Sequence, residues 1–329
     1  MNRKSKLILA KTMIAFSLVL IFTGVAYSLE TINGPLDPIK DTYVIKSSDD
    51  NISITTTETP LPPATNQNPV GEQPTTPQQQ PQDTPKTPSS QQPSPPAKTI
   101  SDTNAELRAN LQSRYSITIK YGAETSGYTV SGLTTQPITD ENKMNQVLNE
   151  LNNNLATYPA GFFQEMKNNG YTLTLYLIKR YSTNNVTGIT DSTNRNVIIS
   201  IATDYSFAES FHHEVYHYIE KYLFYKGARY TTWSSLNPND FRYGTSNNSL
   251  SYNITFSPNA YFVNNYAQTD EYEDRASTFE YMTAQVEASC LQTGTPIWLK
   301  SKYISEQIEA VFQTVSPTTT EYWERYVYN

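Results

Sequence analysis

The sequence has few of the residues on which several common kinds of protein depend. Its 329 residues include one cysteine, Cys290. A single cysteine excludes an intramolecular disulfide and a cysteine-rich structural zinc site, so core packing must hold the folded part together. Apolar residues make up 37% of the chain, which is low for a wholly globular protein. We therefore expect part of the chain to lie outside any core, and Cys290 to be a small buried apolar residue.

Positive charge is also scarce. The formal net charge is -7 at pH 7, and no dense run of lysine and arginine follows Lys11. A protein that binds nucleic acid needs a basic face to meet the phosphates. The composition therefore argues against a nucleic-acid partner.

An uncharged, mainly apolar stretch runs from Thr12 to Ser28, after Arg3, Lys4, Lys6 and Lys11. Basic residues before such a stretch predict an export signal. The stretch is also long enough to remain as a membrane anchor. Residues 1–28 are thus a signal peptide or an N-terminal membrane anchor. Either alternative predicts an extracellular chain, secreted or tethered to the outer face of the cell membrane.

Composition divides the rest of the chain into three parts. Residues 29–56 stay unassigned, although Asp41–Lys46 could form a short strand. Residues 57–101 are a disordered linker rich in proline, glutamine and threonine, with twelve of the chain's 20 prolines between Pro60 and Pro96. Such a segment has too few apolar residues to offset its chain entropy. The folded domain is expected to occupy residues 102–329.

Hydrophobic periodicity predicts strands first and helices later within this domain. The order indicates an α+β fold with a small mixed sheet and a mostly helical C-terminal part. The predicted strands are 114–121, 171–179 and 196–202. The predicted helices are a stretch that starts at Asp140, and the ranges 162–169, 206–225, 270–288 and 298–315.

All three histidines of the chain fall between Phe211 and Tyr218. His213, Glu214 and His217 form the pattern His-Glu-x-x-His on a predicted helix. Residues i and i+4 lie on one face of a helix, so both imidazoles can bind one metal ion while the glutamate reaches a water on it. Zinc suits such a site. His212 points away from the pair and is expected to pack or to support a ligand.

A third protein ligand must be a carboxylate, because no histidine remains. The best candidates lie on the predicted helix that follows Asp270. Glu273 and Glu280 share one face of that helix, and spacing alone leaves both open. The helix dipole would also favour such an acidic start without any metal.

These residues resemble the gluzincin metallopeptidases of the anthrax lethal factor and clostridial Pro-Pro endopeptidase type. That group has His-Glu-x-x-His on one helix and, farther on, a tyrosine followed seven residues later by a glutamate. Tyr266 and Glu273 match this second motif. The resemblance implies that His213, His217 and Glu273 bind one Zn²⁺ per chain, that Glu214 is the general base, and that Tyr266 lies over the open coordination position.

The resemblance implies a zincin-like metallopeptidase domain with zinc endopeptidase activity. Together with the N-terminal export signal, it predicts an exported enzyme that acts on extracellular or cell-surface proteins. We expect a monomer that binds its protein or peptide substrate in extended form. The strand 196–202 would run beside the cleft and pair with the substrate backbone, as in zincins. Asp274 would orient a ligand imidazole. Cleavage specificity, including any Pro-Pro preference, is not predicted.

One alternative comes from a different class. A tyrosine-rich domain on a proline-rich stalk also suits a cell-surface zinc-containing binding protein, whether adhesin-like or an inactive peptidase, since tyrosines are good contact residues. The presence of Glu214 argues against the adhesin-like alternative, because a site used only for binding does not need this base. The inactive peptidase stays open, although no expected catalytic residue is missing.

Overall fold

The computed structural model describes residues 42–45, 98–183, 185–244, 257–284 and 291–328. Residues 1–28, the linker up to residue 97 and Cys290 lie outside these ranges, so the expectations for them stay predictions. Within the described ranges, no helix is both long and apolar enough to cross a membrane.

The described residues form an α+β fold with six helices and one seven-stranded mixed sheet. The strands are β1 (Thr42–Ile45), β2 (Thr118–Tyr121), β3 (Thr129–Val130), β4 (Leu133–Pro137), β5 (Thr172–Tyr181), β6 (Gly188–Thr193) and β7 (Asn196–Ala202). The helices are α1 (Ile100–Tyr115), α2 (Glu141–Leu155), α3 (Phe162–Asn168), α4 (Phe207–Tyr225), α5 (Glu271–Thr283) and α6 (Pro296–Val311).

The sheet is built around β5 and β7, which pair in parallel. The strand order is β1-β6-β7-β5-β4-β3, and β2 pairs in parallel with the first part of β5. Strand β6 forms an antiparallel hairpin with β7, closed at the pair Thr193 and Asn196. Between them Asn194 adopts a φ of 57°, a conformation that asparagine tolerates better than most residues.

The main core lies between one face of the sheet and the helices. Alternate residues of β5 and β7 point to this face, as the two-residue period of a strand requires. They meet α4, which is buried on nearly all sides because other helices cover it as well. The core includes Leu173, Leu175, Leu177, Val197, Ile199, Ile201, Phe211, Val215, Ile219 and Phe279.

The structure confirms the elements with strong periodicity. The helix expected after Asp140 is α2, with Met144, Val147, Leu148 and Leu151 buried, and Asp140 caps it. The strand 196–202 is β7, and the helix 206–225 is α4 with Ser206 at its N-cap. Helix α3, strand β5 and the short strand β1 also lie where the sequence placed them.

Four predicted boundaries were wrong. Arg114 and Tyr115 end helix α1 instead of starting a strand. Helix α1 itself begins at Ile100, within the expected linker, because Thr99 and Asp102 form a capping box there. Helix α5 ends at Thr283, short of the expected residue 288. Helix α6 is shifted towards the N-terminus because Thr295 caps its start and Pro296 occupies its first turn.

Candidate metal centre

Helix α4 presents the two histidines of the motif side by side. The ring centres of His213 and His217 lie 4.9 Å apart. Both residues and Glu214 between them have no exposed surface. The four-residue spacing therefore has the geometric effect expected on a helix, in an interior where an ionic interaction is strong.

Helix α5 brings Glu273 to this pair. The Asp270 side chain caps the helix and accepts hydrogen bonds from the main-chain N–H groups of Tyr272 and Glu273. A carboxylate in the first turn is favoured by the helix dipole. Helix α5 is further joined to α4 by a buried ion pair between Arg275 and Glu220. These contacts fix the position of Glu273 relative to α4.

The donor atoms of the three residues converge. Glu273 Oε2 lies 3.0 Å from His213 Nε2 and 3.5 Å from His217 Nε2. The three donor atoms all lie within 4.8 Å of one another. Two ligand atoms of one tetrahedral zinc are about 3.3 Å apart, given zinc–ligand distances of about 2.0–2.1 Å. This buried His-His-Glu group is therefore compatible with a bound metal ion.

Glu280 meets the other side of His213. Its Oε2 lies 3.1 Å from His213 Nδ1, whereas Glu273 faces Nε2 of the same ring. A histidine that binds metal through one nitrogen commonly donates from the other to a carboxylate. The geometry therefore favours Glu273 over Glu280 as the third ligand and gives Glu280 a supporting position, although the ligand roles themselves stay predictions.

Glu214 projects towards strand β6. The hydroxyl of Thr190 is hydrogen-bonded to Glu214 Oε2 and lies 3.1 Å from its main-chain oxygen. A Cβ atom added to Gly188 would lie 2.7 Å from both Cγ and Oε1 of Glu214. Only a glycine lets the strand approach this closely. Among the described residues, Glu214 Oε1 has no hydrogen-bond partner, which leaves one carboxylate oxygen available for a reacting group.

Tyr266 lies beside the same cluster. It belongs to a short 3₁₀ helix, Tyr266–Gln268, just before α5, and its ring centre is 6.1 Å from that of His213. Burial, followed by the nearby carboxylates of Glu273 and Glu214, raises the pKa of Tyr266 well above its usual value. The phenol is therefore kept protonated as a donor, while its place over an open coordination position stays a prediction.

The electrostatics of the cluster favour positive charge between the carboxylates. Burial lowers the pKa of His217 to about 3. Burial acts in the same direction on His213, but hydrogen bonds with Glu273 and Glu280 outweigh it and raise the pKa to about 10. Burial also opposes ionisation of Glu273, yet its hydrogen bonds with both imidazoles hold its pKa well below the usual range. A divalent cation would supply the charge that this environment stabilises.

His212 packs away from the cluster, as the sequence indicated. Its Nδ1 lies 2.9 Å from the Tyr158 hydroxyl and its Nε2 lies 3.0 Å from Asn154 Oδ1. Burial lowers its pKa to about 3. His212 is thus a neutral interior residue that joins α4 to the end of α2.

The expectation that Asp274 orients a ligand imidazole was wrong. Both carboxylate oxygens of Asp274 accept hydrogen bonds from Lys300 Nζ on α6, at 3.0 and 2.7 Å. The indole of Trp233 and the hydroxyl of Tyr243 donate to the same carboxylate. Asp274 follows Glu273 by one residue and therefore points about 100° around the helix from it, towards α6.

The expectation that the strand 196–202 pairs with the substrate was also wrong. Both edges of β7 are occupied, one by β5 and the other by β6. A central strand has no main-chain groups left for a further strand. Strand β6 takes the place nearest to Glu214.

Strand β6 and its contribution to the site were not predicted from the sequence. Gly188 and Thr190 lie in a short segment, Gly188–Thr193, without apolar alternation. A signal was nevertheless present, since Asn194 and Arg195 stand between two runs that form strands, and two-residue connections containing asparagine are typical of hairpins.

Comparisons with known proteins add little to what the geometry of the site shows. No known family model matches the chain, and no curated protein matches it in sequence. A crystal structure from Bacteroides caccae, provisionally described as a zinc-binding metallo-peptidase, is similar over 70% of this chain and 93% of that one, with 14% sequence identity and a TM-score of 0.40. A likeness at this level supports no argument on function, and the resemblance to the lethal factor group stays a prediction.

Proposed function

We propose that this chain is an exported zinc-dependent endopeptidase. The single observation that carries the proposal is the convergence of His213 Nε2, His217 Nε2 and Glu273 Oε2 in a buried site. Two imidazoles and one carboxylate are a set of protein ligands found in catalytic zinc sites, whereas structural zinc sites are usually closed four-ligand sets rich in cysteine.

Each nearby side chain has a role in this proposal. A zinc ion held by His213, His217 and Glu273 would act as a Lewis acid that polarises a peptide carbonyl and acidifies water. Glu214 takes a proton through its unpartnered Oε1 and returns it to the leaving amine. Tyr266 donates its phenolic hydrogen to the oxygen that gains negative charge.

The location and substrate belong to the same proposal. The basic and apolar N-terminal segment supports an extracellular position, either secreted or tethered. Substrates are then extended segments of extracellular or cell-surface proteins, bound by a monomer.

Metal analysis and peptide cleavage on the same samples test the proposal. The full chain, His213→Ala and Glu214→Gln are compared for zinc content and for cleavage of a peptide library. We expect one zinc per parent chain, loss of zinc in His213→Ala, and a Glu214→Gln variant that keeps zinc while its turnover falls by roughly 10²–10⁴-fold. A parent that binds no zinc would rule the proposal out.

One observation favours a second candidate, a zinc-containing binding protein. His213, Glu214 and His217 have no exposed surface, as in a site that is not used for turnover. Zinc bound by the parent without cleavage of any library peptide would support this candidate. If the parent cleaved a library peptide and the zinc-bound Glu214→Gln variant did not, this second candidate would be excluded.

A further inference from the structure

The outer edge of β6 is occupied by a segment from the distant N-terminal part of the chain. Strand β1 pairs antiparallel with β6 in the register Thr42–Asp191, Tyr43–Thr190, Val44–Ile189 and Ile45–Gly188. The other edge of β6 is filled by β7. Strand β1 therefore ends the sheet on the side nearest to Glu214.

This edge lies next to the proposed catalytic base. Gly188 and Thr190, the two β6 residues in contact with Glu214, are the pairing partners of Ile45 and Tyr43. Neighbouring strands lie about 4.8 Å apart. Any chain on the outer edge of β6 thus runs within about one strand spacing of the residues that hold Glu214, and β1 also approaches helix α4.

Main-chain hydrogen bonds supply most of the affinity when a strand is added to a sheet edge. An edge that accepts one extended segment accepts others in the same way. Strand β1 has four residues, and a pairing this short is marginal without the help of being tethered to the same chain.

We propose that the outer edge of β6 is the peptide-docking edge of this site, and that Thr42–Ile45 occupies it in cis as an internal competitor of the substrate. The inference rests on the proposed peptidase function and adds to it the substrate's binding mode and a means of regulation. The full burial of His213, Glu214 and His217 fits a site whose docking edge is filled. The occupant is an extended peptide recognised by its backbone.

A matched pair of variants separates backbone pairing from side-chain identity. Tyr43→Pro with Val44→Pro removes two consecutive main-chain N–H groups, and one of any two consecutive N–H groups in a strand faces the neighbouring strand. Tyr43→Thr with Val44→Thr changes the same side chains but keeps both N–H groups and a strand-forming residue type. Only the variant with both prolines should lose the pairing between β1 and the outer edge of β6.

Binding of an added peptide is the first readout, because it needs no turnover. A labelled peptide with the sequence of residues 41–46 is titrated into the full chain carrying Glu214→Gln. In the threonine pair, β1 is tethered beside the edge and competes with the added peptide at an effective concentration on the order of mM. The proline pair lacks this competitor, so we expect it to bind the peptide at least tenfold more tightly than the threonine pair does. Equal affinities for both pairs would overturn the inference.

Hydrogen exchange locates the binding. In the proline pair, the main-chain amides of Gly188–Thr193 should exchange faster than in the threonine pair, and the added peptide should restore their protection. Peptide binding that leaves these amides unchanged would place the docking edge elsewhere and overturn the inference.

Turnover with Glu214 intact tests the competitor role. The proline pair should cleave library peptides several times faster than the threonine pair at substrate concentrations below KM, and equal rates would overturn the competition. If the proposed peptidase function is wrong, no variant will cleave any library peptide. Peptide affinity and amide exchange would still show whether β1 occupies the outer edge of β6.

Discussion

The Glu214 carboxylate is positioned differently at its two oxygens. Oε2 is hydrogen-bonded to the Thr190 hydroxyl, while Oε1 lies against Gly188 without a hydrogen-bond partner among the described residues. A general base must have a fixed direction and one oxygen left for the proton that it takes. Thr190 supplies the direction, and the missing side chain of Gly188 supplies the space.

Thr190→Val should therefore reduce turnover without removing zinc. A hydrogen bond to a charged group contributes roughly 1.5–3 kcal/mol, so we expect kcat to fall by roughly 10–150-fold while KM and zinc content stay near the parent values. Thr190→Ser keeps the hydroxyl and should retain most of the activity. Equal losses in the valine and serine variants, measured by peptide turnover, would contradict this role.

Glu280 offers a second test at the residue scale. It contacts Nδ1 of His213, the nitrogen that faces away from Glu273. Glu280→Leu removes the acceptor that orients this ring, and loss of such a partner typically costs 10–100-fold in metal affinity. Glu280→Gln keeps an oxygen acceptor and should lose less.

Zinc affinity is measured by competition with a chelator of known strength, beside Glu273→Leu. If Glu280→Leu bound zinc as weakly as Glu273→Leu does, Glu280 would be a ligand and not a support.

At the scale of elements, a buried charge pair holds α6 against α5. Lys300 Nζ is 2.7 Å from Asp274 Oδ2, and neither side chain has exposed surface. Burial raises the pKa of Asp274 and lowers that of Lys300, so each ion depends on its partner to stay charged. Lys300 also donates to the Tyr261 main-chain oxygen at 2.6 Å. This hydrogen bond holds the loop that contains Tyr261 against the contact between α5 and α6.

Lys300→Met should destabilise the fold strongly. It leaves Asp274 as a buried charge without its cation, which typically costs about 3–5 kcal/mol in the free energy of unfolding. Lys302→Met, on the same helix, removes a lysine that is 33% exposed and paired with Glu306. Such surface pairs contribute about 0–1 kcal/mol. Urea unfolding of both variants measures the difference, and similar losses would contradict the account.

The elements also show what the sequence could reveal. Helices α2 and α4 and strand β7 were predictable because long runs of apolar residues repeat with one period. Helix α1 was not, since its buried residues are only Asn104, Leu111 and Tyr115. Strand β6 lacks an apolar pattern, and its two residues in contact with Glu214 are a glycine and a threonine, Gly188 and Thr190.

The same distinction, between what a local sequence pattern predicts and what only the packing shows, applies to the candidate site. The positions of His213, Glu214 and His217 follow from spacing on one helix. Glu273 and Glu280 are two turns apart on one face, so only the packing of α5 against α4 shows which nitrogen of His213 each one meets. The partners of Asp274 lie far away in sequence, in Trp233, Tyr243 and Lys300, and no local pattern connects them.

At the scale of the whole molecule, the site joins parts of the chain that are distant in sequence. Helix α4 supplies two imidazoles, α5 supplies Glu273, β6 positions Glu214 and the segment before α5 supplies Tyr266. An ion that binds three side chains from two helices in the folded state, and not in the unfolded chain, shifts the folding equilibrium by mass action. Metal binding and global stability should therefore be linked.

Removal of metal should lower the thermal midpoint of the parent chain. Zinc at about 100 times its Kd stabilises a native state by about 2.7 kcal/mol, which corresponds to roughly 5–10 °C for a domain of about 150–250 residues. We expect a chelator to produce a fall of this size and added zinc to reverse it. His213→Ala should have a midpoint that responds to neither, because its site has lost one of the two imidazoles. Calorimetry of both proteins with and without chelator measures these thermal midpoints. If the parent midpoint did not respond to the chelator, no metal would be bound between α4 and α5. Packing and ion pairs alone would then hold the two helices together.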